Sequence, residues 1–335
     1  MSLRAARLYG TGDIRVAEEP SSEPGPGEAL VRVTAVGICG SDLHWWTEGA
    51  IGDAKLAHPL VLGHEGAGVI ESGSRVGQRV AIDPAITCGP WSATLCRACR
   101  DGYRNLCYRI RFAGHDKTDG MFRSLMAWPE EFLHPLPSSV SDAAGAMLEP
   151  LGVALWSLDL GHLPFSGTAS VAGCGPIGLL LIQLLKEAGA SRVVAIEPLA
   201  HRKEAAASCG ATDVLSPDEP MRDLGVDVAF EVAGNNDGVR IALESVRPGG
   251  RVVLTGIPDG DTTTFTASLA RRKGLTIAMT RRMNEVYPRA ISLVSRGVVD
   301  VESLISRRAG LESAADAFTS AADRTGLKVI VEPQR

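Results

Sequence analysis

The stretch Ala169-Ser170-Val171-Ala172-Gly173-Cys174-Gly175-Pro176-Ile177-Gly178 decides the fold of this chain. Small and β-branched residues read as a strand, glycines follow at G-x-G-x-x-G spacing, and the apolar run Leu179 to Leu185 opens a helix. Gly173 allows the tight turn, Gly175 lets the backbone approach a pyrophosphate, and Gly178 permits close helix–sheet packing. The diphosphate then meets free N–H groups at the helix start, around Pro176 and Ile177. The next strand, Arg192-Val193-Val194-Ala195-Ile196, ends at Glu197, nineteen positions beyond Gly178. A carboxylate there accepts hydrogen bonds from a ribose 2′-OH and repels a 2′-phosphate, so NAD is favoured over NADP. His201 and Lys203 add positive charge nearby, which weakens the exclusion. The alternation continues through Val226-Asp227-Val228-Ala229-Phe230 and Arg251-Val252-Val253-Leu254, the pattern of a doubly wound parallel sheet.

Upstream, residues from about 5 to 150 read as short strands and turns, with Pro24-Gly25-Pro26-Gly27 as punctuation. A strand-like run, Ala29 to Val36, leads into Gly37-Ile38-Cys39-Gly40-Ser41-Asp42-Leu43-His44. Gly63-His64-Glu65 ends another apolar run, and a carboxylate stands at Glu149-Pro150. Taken singly, Cys39 reads as a small core residue and His64 as structural. Thiolate, imidazole and carboxylate together suit zinc, and three protein ligands leave a fourth position for water or substrate. Cys88, Cys96, Cys99 and Cys107 offer a second donor set, the alternative being four free thiols. The other histidines, His58, His115, His134, His162 and His201, have no ligating spacing.

These motifs, in this order over nearly the whole chain, resemble the zinc-dependent medium-chain dehydrogenases of the alcohol dehydrogenase superfamily. Leu148-Glu149-Pro150-Leu151-Gly152 places the resemblance nearest the sorbitol (polyol) and threonine dehydrogenases. It implies an α/β chain: a GroES-like β-barrel catalytic domain over 1–149 and 285–335, and a Rossmann doubly wound domain over 150–284. It implies catalytic zinc on Cys39, His64 and Glu149, with Glu65 a transient ligand or neighbour. Ser41 and His44 match the proton relay, and Asp42 the carboxylate that orients the ligating histidine. Plain alternatives are that Ser41 and Asp42 cap local backbone and that His44 is a surface residue. Arg202 matches a basic position near the adenosine ribose, and Thr255, Gly256 and Ile257 supply backbone near the nicotinamide. Trp45, Glu149 and Arg282 match substrate positions, with Met283 replacing a tyrosine. The four cysteines match a structural zinc lobe, except that seven residues, Gly89 to Leu95, separate the first two instead of the usual two. In that insertion Pro90 and Trp91 are expected to stiffen or pack the loop. A homodimer or homotetramer is implied.

The implied reaction is hydride transfer from a secondary alcohol to NAD⁺. Amino-alcohol oxidation and a zinc-free quinone or enone reductase are the alternatives. Composition agrees with an enzyme of two domains: 335 residues, 45% apolar and 22% charged. A net charge of −5 argues against nucleic acid as partner. No run of eighteen apolar residues suggests a membrane span, and the N-terminus lacks a signal-peptide core, so a cytoplasmic address is expected. Seven cysteines in a reducing compartment read as metal ligands and free thiols.

Overall fold

The strand Glu28–Gly37 alternates buried and half-buried residues until Ala35-Val36-Gly37, where every residue is buried. That change marks where a half-solvated strand becomes the centre of a sheet. In the computed structural model, which describes residues 3–20, 23–89, 94–222 and 224–335, this strand organises a seven-stranded sheet. It pairs antiparallel with Glu65–Ile70, Leu125–Pro129 and Lys328–Glu332. Arg79–Ile82 and Leu133–Pro135 extend one side, and Ile305–Gly310 pairs parallel with Lys328–Glu332. Gly37 stands opposite both Glu65 and Ile330. Side chains repeat every second residue on one face, so this register brings Glu65 and Lys328 together over Gly37. The sheet belongs to one compact unit, Met1–Glu149 with Tyr287–Arg335.

The second unit, Pro150–Val286, holds a six-stranded parallel sheet. Its order is Asp213–Leu215, Arg192–Ile196, Thr168–Ala172, Val226–Glu231, Val246–Leu254 and Thr276–Met279. This is the 3-2-1-4-5-6 order of the doubly wound dinucleotide folds. Its central strands, Thr168–Ala172, Arg192–Ile196 and Val226–Glu231, are buried on both faces and therefore read as apolar runs instead of alternating ones. Gly173 turns at φ +99°, and a Cβ on Gly178 would overlap the Gly173 carbonyl. The Pro176–Glu187 helix then starts with Pro176 in its first turn, where its missing N–H costs nothing.

A helix runs Leu148–Gly161, which puts Glu149 in its first turn. Beyond residue 285 the chain forms two longer helices, Tyr287–Ser295 and Ala314–Ala322, and the parallel strand Ile305–Gly310 that the sequence reading passed over. Among the described residues no helix is long and apolar enough to cross a membrane.

Candidate metal centre and dinucleotide site

Cys39 caps the Gly40–Glu48 helix, and the third residue of that helix, Asp42, closes the cap. Asp42 is fully buried; its Oδ2 accepts the Cys39 N–H at 3.0 Å and its Oδ1 accepts the Gly63 N–H at 3.1 Å. The same Oδ1 lies 3.4 Å from His64 Nδ1. One carboxylate thus ties the Cys39 backbone, the turn before the imidazole and the imidazole itself, and leaves Nε2 as the ring's other donor atom. Burial opposes a charge on His64, yet Asp42 and Cys39 overcome it and raise its pKa well above the ordinary histidine value.

Donor atoms of Cys39, His64 and Glu65 lie within 4.8 Å of one another. The third member of this group is Glu65, where the sequence expectation had Glu149. The reason is the register above, since Glu65 opens its strand opposite Gly37 while Glu149 sits on a helix. Neither Glu65 oxygen has a directional hydrogen bond, and the Lys328 ammonium lies against Oε2. A thiolate, an imidazole and a buried carboxylate oxygen short of a partner fit a zinc ion. Glu149, 4% exposed, remains nearby; burial raises its pKa to about 7, with Glu65 and Asp83 pushing the same way and His64 and Lys328 opposing. Lys328, 3% exposed, was missed from sequence. The available signal was a lysine at the head of the apolar run Val329-Ile330-Val331.

Ser41 Oγ lies 3.2 Å from His64 Nε2, and His44 Nδ1 lies 2.7 Å from Glu48 Oε1. Three positions apart on one helix, Ser41 and His44 share a face. The structure corrects the placement of Trp45: it is 2% exposed in the core of its unit, edge-on to His115, so packing accounts for it. Arg282 is held at φ +53°, a conformation that side chains adopt at a cost. Its neighbour Met283 packs where a Cβ on Gly152 would stand.

The four sulfurs of Cys88, Cys96, Cys99 and Cys107 also lie within 4.8 Å of one another. The long insertion therefore does not hold Cys88 away, though Pro90 and Trp91 themselves lie outside the described residues. Backbone N–H groups, led by that of Cys99, lower the Cys96 pKa to about 6, whereas burial lifts Cys99 to about 12. A bound cation would favour the thiolate at all four positions. We expect two zinc ions per chain. The longer gap adds about 1 kcal/mol of loop closure, against roughly 10–16 kcal/mol of binding in a structural zinc site. Metal analysis checks this; one zinc per chain, unaltered in Cys96→Ser, would reject it.

In the other unit, Glu197 is 3% exposed. Its Oε2 accepts the Cys174 N–H at 2.8 Å and its Oε1 the Leu199 N–H at 3.1 Å. The carboxylate therefore braces the Gly-rich turn from below, which its sequence position alone did not reveal. A Cβ placed on Gly175 meets nothing nearer than Arg202 Nη1 at 3.7 Å, so the turn keeps open space for a diphosphate with a guanidinium beside it. Thr255 and Gly256 donate N–H bonds to the Glu231 carbonyl at 2.8 and 3.2 Å, and Ile257 is exposed.

Residues 25–138 match the family model of the alcohol dehydrogenase GroES-like domain, and residues 176–296 that of the zinc-binding dehydrogenases. Sorbitol dehydrogenase of Bacillus subtilis is 34% identical, covering 100% of this chain and 98% of its own. The crystal structure of L-idonate 5-dehydrogenase from Escherichia coli superposes with a TM-score of 0.92 at 28% identity, over 99% of this chain and 98% of that one. A Sinorhizobium meliloti protein, described as a zinc-binding dehydrogenase and solved with NADP, superposes with a TM-score of 0.89 at 30% identity, over 99% and 100%. The chain belongs to the zinc-dependent alcohol dehydrogenase superfamily of medium-chain dehydrogenases, in the branch that contains the sorbitol dehydrogenases.

Proposed function

We propose that this enzyme oxidises a secondary alcohol of a polyol or cyclitol with NAD⁺. The observation that carries the reading is the donor set of half-buried Cys39 with buried His64 and Glu65. A zinc-free quinone or enone reductase would have no use for it. When bound there, zinc supplies the positive charge that lowers the alcohol's pKa, and the nicotinamide ring accepts the hydride. Asp42 fixes the His64 ring. Ser41, close to the donor set, takes up the alcohol proton and passes it along the helix face to His44. Glu149, a buried carboxyl beside the donor set, binds a substrate hydroxyl in the same reading, which suits vicinal diols. Arg282 is the substrate-binding cation in the same reading.

The cofactor side rests on Gly173, Gly175, Pro176, Ile177 and Gly178 for the diphosphate, and on Glu197 and Arg202 for the ribose. Kinetics with a panel of polyols, cyclitols and amino alcohols, each with NAD⁺ and NADP⁺, test both halves. We expect polyol oxidation with NAD⁺; a preference for amino alcohols or for NADP⁺ would overturn the corresponding half. Glu197→Ala is expected to narrow the preference for NAD⁺ by about 10-fold or more, since hydrogen bonds to a charged group contribute about 1.5–3 kcal/mol. Loss of the brace under Cys174 lowers kcat/KM with both cofactors, so their ratio is the quantity to read.

Seven cysteines with no disulfide among the described residues fit a cytoplasmic address. The edge strand Thr276–Met279, with Met279 69% exposed, fits pairing with a second copy in a homodimer or homotetramer. A monomeric mass by light scattering would reject that assembly.

A further inference from the structure

Glu231 ends its strand fully buried, 1% exposed, where neither the metal set nor the diphosphate turn needs a carboxylate. Its Oε1 accepts the Gly234 N–H at 2.6 Å. Burial raises its pKa, against the pull of the backbone N–H groups of Gly234, Ala233, Gly256 and Asn235. Those groups come from two loops, one after the Val226–Glu231 strand and one after its parallel neighbour Val246–Leu254. The loops touch backbone to backbone. A Cβ on Gly256 would overlap Gly234 and stand 2.8 Å from Glu231 Oε2, and one on Gly234, at φ +72°, would stand 2.6 Å from the Ile257 carbonyl. Burying a carboxylate is unfavourable unless such donors meet it, so the charge and the shape of both loops depend on each other.

Strand order says what lies over these loops. In a 3-2-1-4-5-6 sheet the dinucleotide crosses where the order reverses, outside the carboxyl ends of the strands. Here that point lies between Thr168–Ala172 and Val226–Glu231. Glu197, ending Arg192–Ile196, marks the side taken by the ADP-ribose half. The other half therefore extends over the ends of Val226–Glu231 and Val246–Leu254.

We infer that Glu231 is a positioning residue for the nicotinamide half of the cofactor, its buried carboxylate locking the 233–235 and 255–257 loops into one rigid surface. The inference rests on the dinucleotide reading above. Calorimetric titration of the zinc-loaded protein with NAD⁺ and with ADP-ribose, which lacks the nicotinamide, tests it. NADP⁺ and 2′-phospho-ADP-ribose replace them if the wild type prefers NADP⁺. In Glu231→Gln one acceptor oxygen becomes an amide donor facing N–H groups. Dinucleotide affinity is expected to fall at least tenfold while ADP-ribose affinity stays within twofold. Gly234→Ala disturbs the same loop contact without a buried amide and should give the same split; it decides alone if the glutamine variant does not fold. Equal loss of both ligands, or loss of neither, overturns the inference. A wild type that binds neither ligand overturns the cofactor reading itself, and the inference with it.

Discussion

Cys39→Ser and His64→Ala are each expected to lower alcohol oxidation at least about 1,000-fold while NAD⁺ binding stays within twofold. Metal-ion activation contributes several kcal/mol to such a reaction, and each 1.4 kcal/mol is a factor of ten in rate. The metal donors and the Gly-rich turn belong to separate compact units with separate sheets. Losing a donor therefore leaves the nucleotide site intact. Zinc analysis, dinucleotide titration and turnover on the same preparations check the three parts of the claim. Retained alcohol oxidation in a variant shown to lack the catalytic zinc would reject metal assistance. Asp42→Asn should fall between: the ring loses its anionic partner but keeps a neighbour of the same shape, and zinc affinity drops about 10–100-fold.

What could be read in advance follows from where each signal lives. The Gly-rich turn and the Cys39–His44 motif are local, because their chemistry and the backbone shape they need are written in consecutive residues. The parallel sheet was legible for a related reason: strands buried on both faces leave unbroken apolar runs. Glu65 and Lys328 are 263 positions apart, and only the register of Glu28–Gly37 against two other strands brings them together. Nothing in the local sequence of either residue announces the other. That Glu65 gathers with Cys39 and His64 was hidden likewise, since both it and Glu149 stand beside turn-forming residues and only the fold brings one of them into the group. Trp45 matched a substrate position only by resemblance, and its helix turns it into the core. Glu231 was invisible because the sequence locates a strand's end without showing where a carboxylate there turns.

Lys328→Met is expected to cost the zinc-free protein about 3–5 kcal/mol of folding stability, the usual result of removing one partner of a buried ion pair. Lys328 is 3% and Glu65 1% exposed, and a Cβ on Gly37 would overlap the Glu65 carboxylate, so the pair occupies all the space the backbone leaves. Without the ammonium, Glu65 is an uncompensated charge with little water to reach. Burial alone would lower the Lys328 pKa; the charges of Glu65, Cys39 and Glu149 more than reverse that. Adding Glu65→Gln to Lys328→Met removes both charges and should recover most of the loss, and urea unfolding of the four combinations gives the coupling directly. Zinc discriminates further. A metal ion on Glu65 supplies positive charge where the ammonium was, so the zinc-loaded Lys328→Met protein should lose much less than the zinc-free one. If it loses as much with zinc as without, Glu65 is not at the metal. Glu149 would then be the third donor, and the Lys328–Glu65 pair a structural feature of the sheet.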